Sequence, residues 1–334
     1  MRAVWYDRHG PAAEVLQLGE RPDPLPKPGE LRVRLHASGV NPADTYRRAG
    51  TSNAHEWPLV IPNSDGAGVV DLVGEGVDAA WLGRRVWIYN AQRFRPFGTA
   101  ATFTCVPEDL ATPLPDHVSF EVGACLGIPA MTAHRCLFAD GPVAGLRVLV
   151  SGGGGAVGNY AVQLARRGGA AQVLATASGG WKAEDAASAG AEQVFDYRAP
   201  DCAQRILDAT GGQGVDRVVE VDVGGNVALW SAVVALNGSV TGYASGGGRT
   251  PQIPFGLMMQ KNVTLRGVVL NTAPLAARRQ AQADITAWLA AGVPAPLHRI
   301  AATFPLARTA AAHEAVEAGG KRGTVIVLPQ EVGP

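Results

Sequence analysis

The chain has 334 residues, 29 basic and 29 acidic side chains, and 47% hydrophobic residues. This balance does not favour a nucleic-acid or membrane partner, and no apolar run approaches the ~20 residues that span a bilayer. The first nine residues carry no apolar signal segment, and the four cysteines form no CxxC pair, so we expect a cytoplasmic protein of about two domains without a disulfide scaffold.

The first ~120 residues are predicted to be mostly β-structure. Apolar residues alternate with polar ones over residues 31–38, which is the period of a half-buried strand. Residues 69–73 and 85–88 are further strand candidates, and four prolines between 22 and 28 form a stiff connection before the first strand. Short strands separated by turn residues indicate a small barrel-like domain.

From about residue 123, predicted strands alternate with predicted helices. This alternation is typical of an α/β doubly wound parallel sheet, here with six strands. The predicted strands cover 147–151, 172–177, 193–195, 217–221, 239–242 and 264–270. Helices are expected over 228–236 and 281–291, and a last strand, 324–328, is expected to return to the first domain.

A glycine turn follows the first of these strands and opens a helix. Gly152, Gly155 and Gly158 fit the dinucleotide spacing: the first for the tight turn, the second for backbone approach to a pyrophosphate, the third for close helix packing. Ala156 and Val157 begin the helix, whose unpaired N–H groups and positive dipole end favour phosphate. The pattern predicts a dinucleotide site.

The end of the second predicted strand indicates which nicotinamide cofactor is used. NAD sites usually carry a carboxylate there for the ribose 2′-OH. This chain has Ser178 and Lys182 instead, a hydroxyl and a cation that suit a 2′-phosphate. Glu184 and Asp185 follow, but a helix beginning near Trp181 would carry them away from the ribose. We therefore expect NADPH.

Several motifs in order resemble those of a known group. They are the segment 37–50 (ASGVNPADTYRRAG), the segment 127–133 (GIPAMTA), the glycine turn, and the segment 190–198 (GAEQVFDYR). Over essentially its whole length the chain resembles the zinc-free quinone oxidoreductases, or ζ-crystallin-like proteins, of the medium-chain dehydrogenase/reductase superfamily.

The resemblance implies a GroES-like catalytic domain over 1–122 and 271–334, and a Rossmann domain over 123–270. It implies that the cofactor lies between the domains. It also implies a homodimer formed by pairing the sixth Rossmann strand of each copy, which would place residues 263–270 at the interface.

The residues argue against a catalytic zinc. Zinc-dependent relatives have a Cys where this chain has Asn41, and a Gly-His-Glu where it has Asn63-Ser64-Asp65. Since a catalytic zinc needs three protein ligands, two missing ligands exclude the usual site. The lobe with four closely spaced cysteines is also absent, and the seven histidines show no metal spacing. We expect no metal.

By the same resemblance, Asn41 and Tyr46 are the expected catalytic residues beside the nicotinamide. Tyr46 would orient the substrate oxygen, and Asn41 would hold the nicotinamide or the substrate. Asp222 stands where relatives have a small polar residue. The complete set of expected cofactor contacts is Asn41, Thr132, Gly152, Gly155, Ala156, Val157, Gly158, Ser178, Lys182, Tyr197, Asp222, Gly242, Tyr243, Val268, Val269, Leu270 and Lys321.

Three functions are compatible with these features. The first is NADPH-dependent, metal-independent reduction of a quinone, an acceptor that needs little Lewis-acid help. The second is reduction of another conjugated carbonyl, such as an enone or enoyl thioester. The third is RNA binding or a structural role, which the absence of a basic stripe disfavours. Residues 53–57 and 92–97 are expected to form loops that shape the substrate pocket.

Overall fold

The computed structural model describes residues 1–52, 57–248, 250–292 and 298–330. The chain divides into two compact units. The first unit comprises Met1–Ile128 and Gln282–Pro334, and the second unit comprises Pro129–Ala281.

Fifteen strands lie in the described part of the chain: β1 Arg2–Trp5, β2 Gln17–Glu20, β3 Glu30–Val40, β4 Asp65–Val73, β5 Arg85–Ile88, β6 Phe103–Pro107, β7 Ala111–Pro113, β8 Arg147–Val150, β9 Gln172–Ala177, β10 Gln193–Asp196, β11 Val215–Glu220, β12 Val234–Gly242, β13 Thr264–Gly267, β14 Ile300–Pro305 and β15 Thr324–Leu328.

Ten α-helices lie in the same residues: α1 Ala12–Val15, α2 Pro42–Ala49, α3 Phe120–Phe138, α4 Ala156–Arg167, α5 Trp181–Ser188, α6 Cys202–Ala209, α7 Val227–Val233, α8 Phe255–Lys261, α9 Leu275–Ala291 and α10 Thr309–Glu317. None of them combines the length and apolarity that crossing a membrane requires.

The second unit contains a six-stranded sheet in the order β10-β9-β8-β11-β12-β13. Every neighbouring pair is parallel, so the order is that of a doubly wound dinucleotide-binding sheet, as predicted. Leu149, Leu174, Val218 and Val240 from the four central strands are all buried in one core. The carboxyl ends of these strands lie at one edge of the sheet, where such folds bind ligands.

The first unit is built on a seven-stranded sheet in which β3 is the longest strand. Leu31, Val33, Leu35 and Ala37 alternate along β3 and are fully buried, which confirms the predicted period. β15 pairs antiparallel with β3, with Val325 opposite Val40. The end of the chain therefore returns to the first sheet, as the sequence predicted.

Three predicted elements were wrong in extent. Residues 234–236 were expected to be helical, but they begin β12, because Val234 pairs with Val215 and is buried. The sixth strand ends at Gly267 rather than 270, and a short 3-10 helix covers Leu270–Thr272. Helix α9 begins at Leu275 rather than at residue 281.

Candidate functional site

The glycine turn joins β8 to α4 in the second unit. Gly152 adopts a left-handed φ of 69°, which disfavours any residue with a side chain. A Cβ on Gly158 would overlap the backbone of Gly152, so the helix packs directly on the turn. Thr176 of β9 supports this geometry, since its Oγ1 accepts a hydrogen bond from the Gly152 N–H at 3.2 Å. The first N–H groups of α4, at Ala156 and Val157, have no partner within their own helix. Gly155 is the N-cap residue of this helix.

The ends of β9 and β10 bring hydroxyl and cationic side chains to the same edge. Ser178 follows β9, and Lys182 lies in the first turn of α5, with its ammonium 5.6 Å from the centre of the Trp181 ring. Tyr197 follows β10 and is about half exposed. The Arg198 guanidinium donates to the Ser178 carbonyl oxygen and to both carboxylate oxygens of Asp196. These bonds lower the pKa of Asp196 to about 2.

Helix α5 begins at Trp181, as expected. Asp185 is buried within it, and its backbone carbonyl accepts a hydrogen bond from the Asn159 amide of α4. Asp185 is therefore part of the packing between α4 and α5.

A pocket of about 490 Å³ lies beyond the ends of β12 and β13. Four of the expected cofactor residues line it: Gly242, Tyr243, Val268 and Val269. The Val268 N–H donates to the Gly242 carbonyl at 2.8 Å, which holds the two strand ends together. Leu270 is buried in the short helix that follows. Arg135 of α3 and Arg266 of β13 add positive charge to the lining.

Two further expected residues, Asp222 and Thr132, lie in the second unit. The Asp222 carboxylate accepts a hydrogen bond from the Gly225 N–H at 3.1 Å, so it stabilises the turn after β11. Thr132 is buried in α3.

In the first unit, Asn41 lies among buried polar residues that we call the carboxylate cluster: Asn41, Asp44, Ser64, Asp65 and Asn90. The Asn41 Nδ2 donates to Asp65 Oδ2 at 2.7 Å, and the Asn41 N–H donates to Asp44 Oδ2 at 2.9 Å. Ser64 donates to the other Asp44 oxygen, and the Asn90 N–H donates to Asp65 Oδ1 at 3.3 Å. All five residues are buried. Burial raises the pKa of Asp44, and burial together with the Asp44 charge raises the pKa of Asp65 to about 7.

Helix α2 begins at this cluster and carries Tyr46. Asn41 is its N-cap, the Asp44 side chain accepts from the Asn41 N–H, and Pro42 occupies the first helical position. Gly50 ends the helix in the left-handed conformation, with φ 79°. Tyr46 is 56% exposed, so its hydroxyl is available to a ligand.

The segment from Gln92 to Phe97 is anchored beside α2. The Gln92 side chain accepts a hydrogen bond from Arg47 at 2.6 Å and donates to the Ile61 carbonyl. At its tip, Phe94 adopts a left-handed φ of 54° and is 66% exposed. In the other expected loop, residues 53–56 lie outside the described residues, and Trp57 is 44% exposed.

Lys321 has a local partner in the first unit. Its ammonium donates to the Gly323 carbonyl at 2.8 Å, and burial lowers its pKa. Among the described residues, no group of three or more His, Cys, Asp or Glu side chains is arranged to hold a metal ion.

Sequence reasoning did not single out Arg198, Arg135, Asp44 or Asp65 as functional. Arg198 and Asp44 lie within the motif segments quoted above, so their position in these motifs was the only indication of a functional role. Asp65 was considered only as a replaced zinc-ligand position. Its bond to Asn41 spans 24 residues of chain, and no local pattern predicts such a contact.

Comparisons with known proteins find two matching family models, one in each part of the chain. Residues 27–116 match the family described as alcohol dehydrogenase GroES-like domain, and residues 156–288 match the family described as zinc-binding dehydrogenase. A quinone oxidoreductase from Rattus norvegicus is 32% identical over 98% of this chain and 98% of its own. A 2-haloacrylate reductase from Burkholderia is 31% identical over 99% of each.

A solved structure of a quinone oxidoreductase also matches almost the whole chain. The Escherichia coli quinone oxidoreductase, determined as a complex with NADPH, has a TM-score of 0.83 and 26% identity, and the match covers 98% of this chain and all of the other. On this full-length relationship, the chain belongs to the quinone oxidoreductases, a zinc-free group of the medium-chain dehydrogenase/reductase superfamily.

Proposed function

We propose that this protein is an NADPH-dependent quinone reductase that works without a metal. The observation that carries the proposal is the match over almost the entire chain to a mammalian quinone oxidoreductase. The E. coli relative was determined with NADPH, and the basic groups at the ends of β9 and β10 support the same cofactor here.

The second unit has the chemistry needed for NADPH. Gly155, the N-cap residue of α4, carries no side chain, so the backbone N–H groups of the helix N-terminus can approach a pyrophosphate. Ser178, Lys182, Tyr197 and Arg198 offer a hydroxyl, two cations and a phenol to the 2′-phosphate. The pocket lined by Tyr243 and Val268 would take the nicotinamide.

When bound, NADPH supplies the hydride, and the protein positions and polarises the acceptor. The first unit contributes Tyr46 and Asn41 to this task. The exposed Tyr46 hydroxyl would donate to the substrate oxygen, and the amide of Asn41, held on the carboxylate cluster, would bind beside it. The chain has Asn41 and Ser64 where zinc relatives have Cys and His, so no zinc is assigned to this reaction.

The test is cofactor oxidation at 340 nm, with NADPH compared to NADH, on metal-stripped protein. The acceptors are 1,4-benzoquinone and 9,10-phenanthrenequinone. We expect fast turnover with NADPH and slow turnover with NADH. Tight NADPH binding without turnover of either quinone would remove the quinone assignment and leave the cofactor assignment intact.

A Tyr46→Phe variant tests the phenol directly. Loss of one donor to a developing negative charge costs about 10–100-fold in kcat/KM. Unchanged kcat/KM for both quinones would exclude Tyr46 from the reaction. Tyr197→Phe, on the second unit, is the matched control at saturating NADPH. It removes a half-exposed phenol expected at the adenosine phosphate, so it should change KM for NADPH and leave kcat/KM for the quinones unchanged.

Reduction of a conjugated alkene is the second candidate function. The full-length match to a 2-haloacrylate reductase favours it. This reaction also needs an acid to protonate the carbon next to the carbonyl, and Tyr46 could serve. Turnover of 2-hexenal, crotonyl thioester or 2-chloroacrylate in preference to both quinones would select this alternative.

We also propose a cytoplasmic homodimer with domains at 1–122 plus 271–334 and at 123–270. The four cysteines are all free and buried, which suits a reducing compartment. The sheet of the second unit ends at β13, whose outer edge would pair with the same strand of a second copy.

A further inference from the structure

The carboxylate cluster buries two acidic groups close together, which is unfavourable for the free energy of folding. Asp44 and Asp65 are each 1% exposed, and both bind the same residue, Asn41. Among the described residues, neither carboxylate forms an ion pair, and Arg47 acts on Asp44 only through a charge interaction at longer range. Burying a charge without a cation is expensive, so this departure from ordinary packing points to a function.

The contacts of Asp65 show what it does to Asn41. Its Oδ2 accepts from the Asn41 amide and from the Ile128 N–H, both at 2.7 Å, and its Oδ1 accepts from the Asn90 N–H. An ionised carboxylate only accepts hydrogen bonds. Asp65 must therefore face the nitrogen of the Asn41 amide and cannot bind its oxygen.

The amide hydrogens of Asn41 can then be counted. The Asp44 N–H donates to the Asn41 backbone carbonyl at 3.0 Å, which holds Asn41 at the start of α2. One of the two amide hydrogens is bound to Asp65. A single N–H is left to meet a ligand.

The fold is shaped to keep Asp65 in place. Gly127 lies against its carboxyl group, and a Cβ at Gly127 would overlap that group. Helix α3 is kinked at the same glycine, where φ is −10° and ψ is −115°. This kink presents the Ile128 N–H to Asp65.

We propose that Asp65 is a positioning residue that turns the amide N–H of Asn41 toward the acceptor, so that Asn41 donates a hydrogen bond to the acceptor oxygen as it gains negative charge. The proposal rests on the proposed reductase function. Of the two roles expected for Asn41, holding the nicotinamide or holding the substrate, the proposal assigns the second. The amide then acts as a hydrogen-bond donor to the substrate.

Protonation of Asp65 would release this orientation, because a neutral carboxyl can donate to the amide oxygen. The pKa of Asp65 is raised to about 7 by burial and by Asp44. The groups that face it are Asp44 from α2, Cys125 from α3 and the amide of Asn41; Lys321 acts on Cys125. Asn41 would therefore be best oriented above pH 7.

A double-mutant cycle tests the proposal, with kcat for 1,4-benzoquinone and the Kd for NADPH measured on each variant. We expect Asp65→Asn to lower kcat about tenfold, the effect of one charge-assisted hydrogen bond, and to leave the Kd unchanged. In an Asn41→Ala background, Asp65→Asn should have no further effect on kcat. An equal loss in both backgrounds, or weaker NADPH binding at unchanged kcat, would overturn the proposal.

A second measurement is made on the wild-type protein, and a variant is needed only to assign the signal. In wild-type protein labelled with ¹⁵N-asparagine, one Asn41 amide proton should lie downfield and shift as the pH passes through 7. The Asn41→Ala spectrum assigns the signal. An Asn41 signal that does not move between pH 5.5 and 8.5 contradicts the role of Asp65. Absence of quinone turnover with a normal titration would instead contradict the proposed function alone.

Discussion

Ser178 and Lys182 replace the carboxylate that NAD-specific sites use, and Arg198 lies against the same turn. At the scale of the residue, we propose that these side chains select NADPH over NADH by their charge. We expect Lys182→Ala to raise KM for NADPH about tenfold, because one phosphate contact is lost, and to leave KM for NADH unchanged. Lys27→Ala removes an exposed lysine of the first unit and is the control. Equal changes with the two cofactors would show that Lys182 does not bind the 2′-phosphate.

His313 is a second residue with a measurable signature. It is fully buried, its Nε2 is 2.9 Å from Asn63 Oδ1, and burial lowers its pKa to about 3. The unfolded chain binds a proton near pH 6.5 that the folded protein does not bind. Stability should therefore fall as the pH drops below 6.5, by about 2 kcal/mol at pH 5 from this group.

A His313→Gln variant separates this effect from the other titrating groups. It should be less stable than wild type at pH 7, because the buried hydrogen bond is altered, and should lose less stability between pH 7 and pH 5. Urea unfolding at several pH values measures both. Parallel pH profiles for the two proteins would contradict the buried, neutral state of His313.

At the scale of the element, the segment 92–97 combines strain with exposure. Phe94 has a left-handed φ of 54° and a large ring in solvent, while Gln92 anchors the segment to α2. Strain of this kind at a surface turn is a pointer to function. We expect Phe94→Gly to raise the free energy of unfolding by about 1 kcal/mol.

The same variant should lower kcat/KM for 9,10-phenanthrenequinone more than for 1,4-benzoquinone, because the larger acceptor has more ring surface to stack. Asn237→Gly is the control for a glycine at a left-handed position outside this segment. Asn237 lies in β12 with φ 58°, and the change also removes the hydrogen bond that it accepts from Asn262. If Phe94→Gly affects both quinones equally, the segment does not select the acceptor.

At the scale of the whole molecule, the proposed dimer can be tested by measuring the molecular mass in solution. β13 is the last strand of its sheet, and α8 before it exposes Phe255 and Met259, four residues apart on one face. We expect a dimer by light scattering, and a shift toward monomer when both residues are replaced by lysine. Leu25→Lys changes an equally exposed apolar residue of the first unit and should leave the mass unchanged. A wild-type monomer at tens of micromolar would exclude the dimer.

Much of the fold follows from local pattern. Alternation along β3 and the glycine turn after β8 are short-range signals, because a strand repeats every two residues and a tight turn needs glycine at given places. The parallel sheet of the second unit and the buried strand β3 of the first unit could therefore be predicted. The extents of β12 and β13 could not, because pairing between Val234 and Val215 depends on a strand distant in sequence.

The sequence by itself determined the class of fold, the family and the residue types offered to a phosphate. Only the tertiary structure decided how Asn41 is oriented. Asp65, Asn90 and Ile128 come from separate elements, and their hydrogen bonds exist only when the sheet, the loop after β5 and the kink of α3 are assembled. The effect of a buried carboxylate depends on the hydrogen-bond donors that surround it, and the fold supplies these donors.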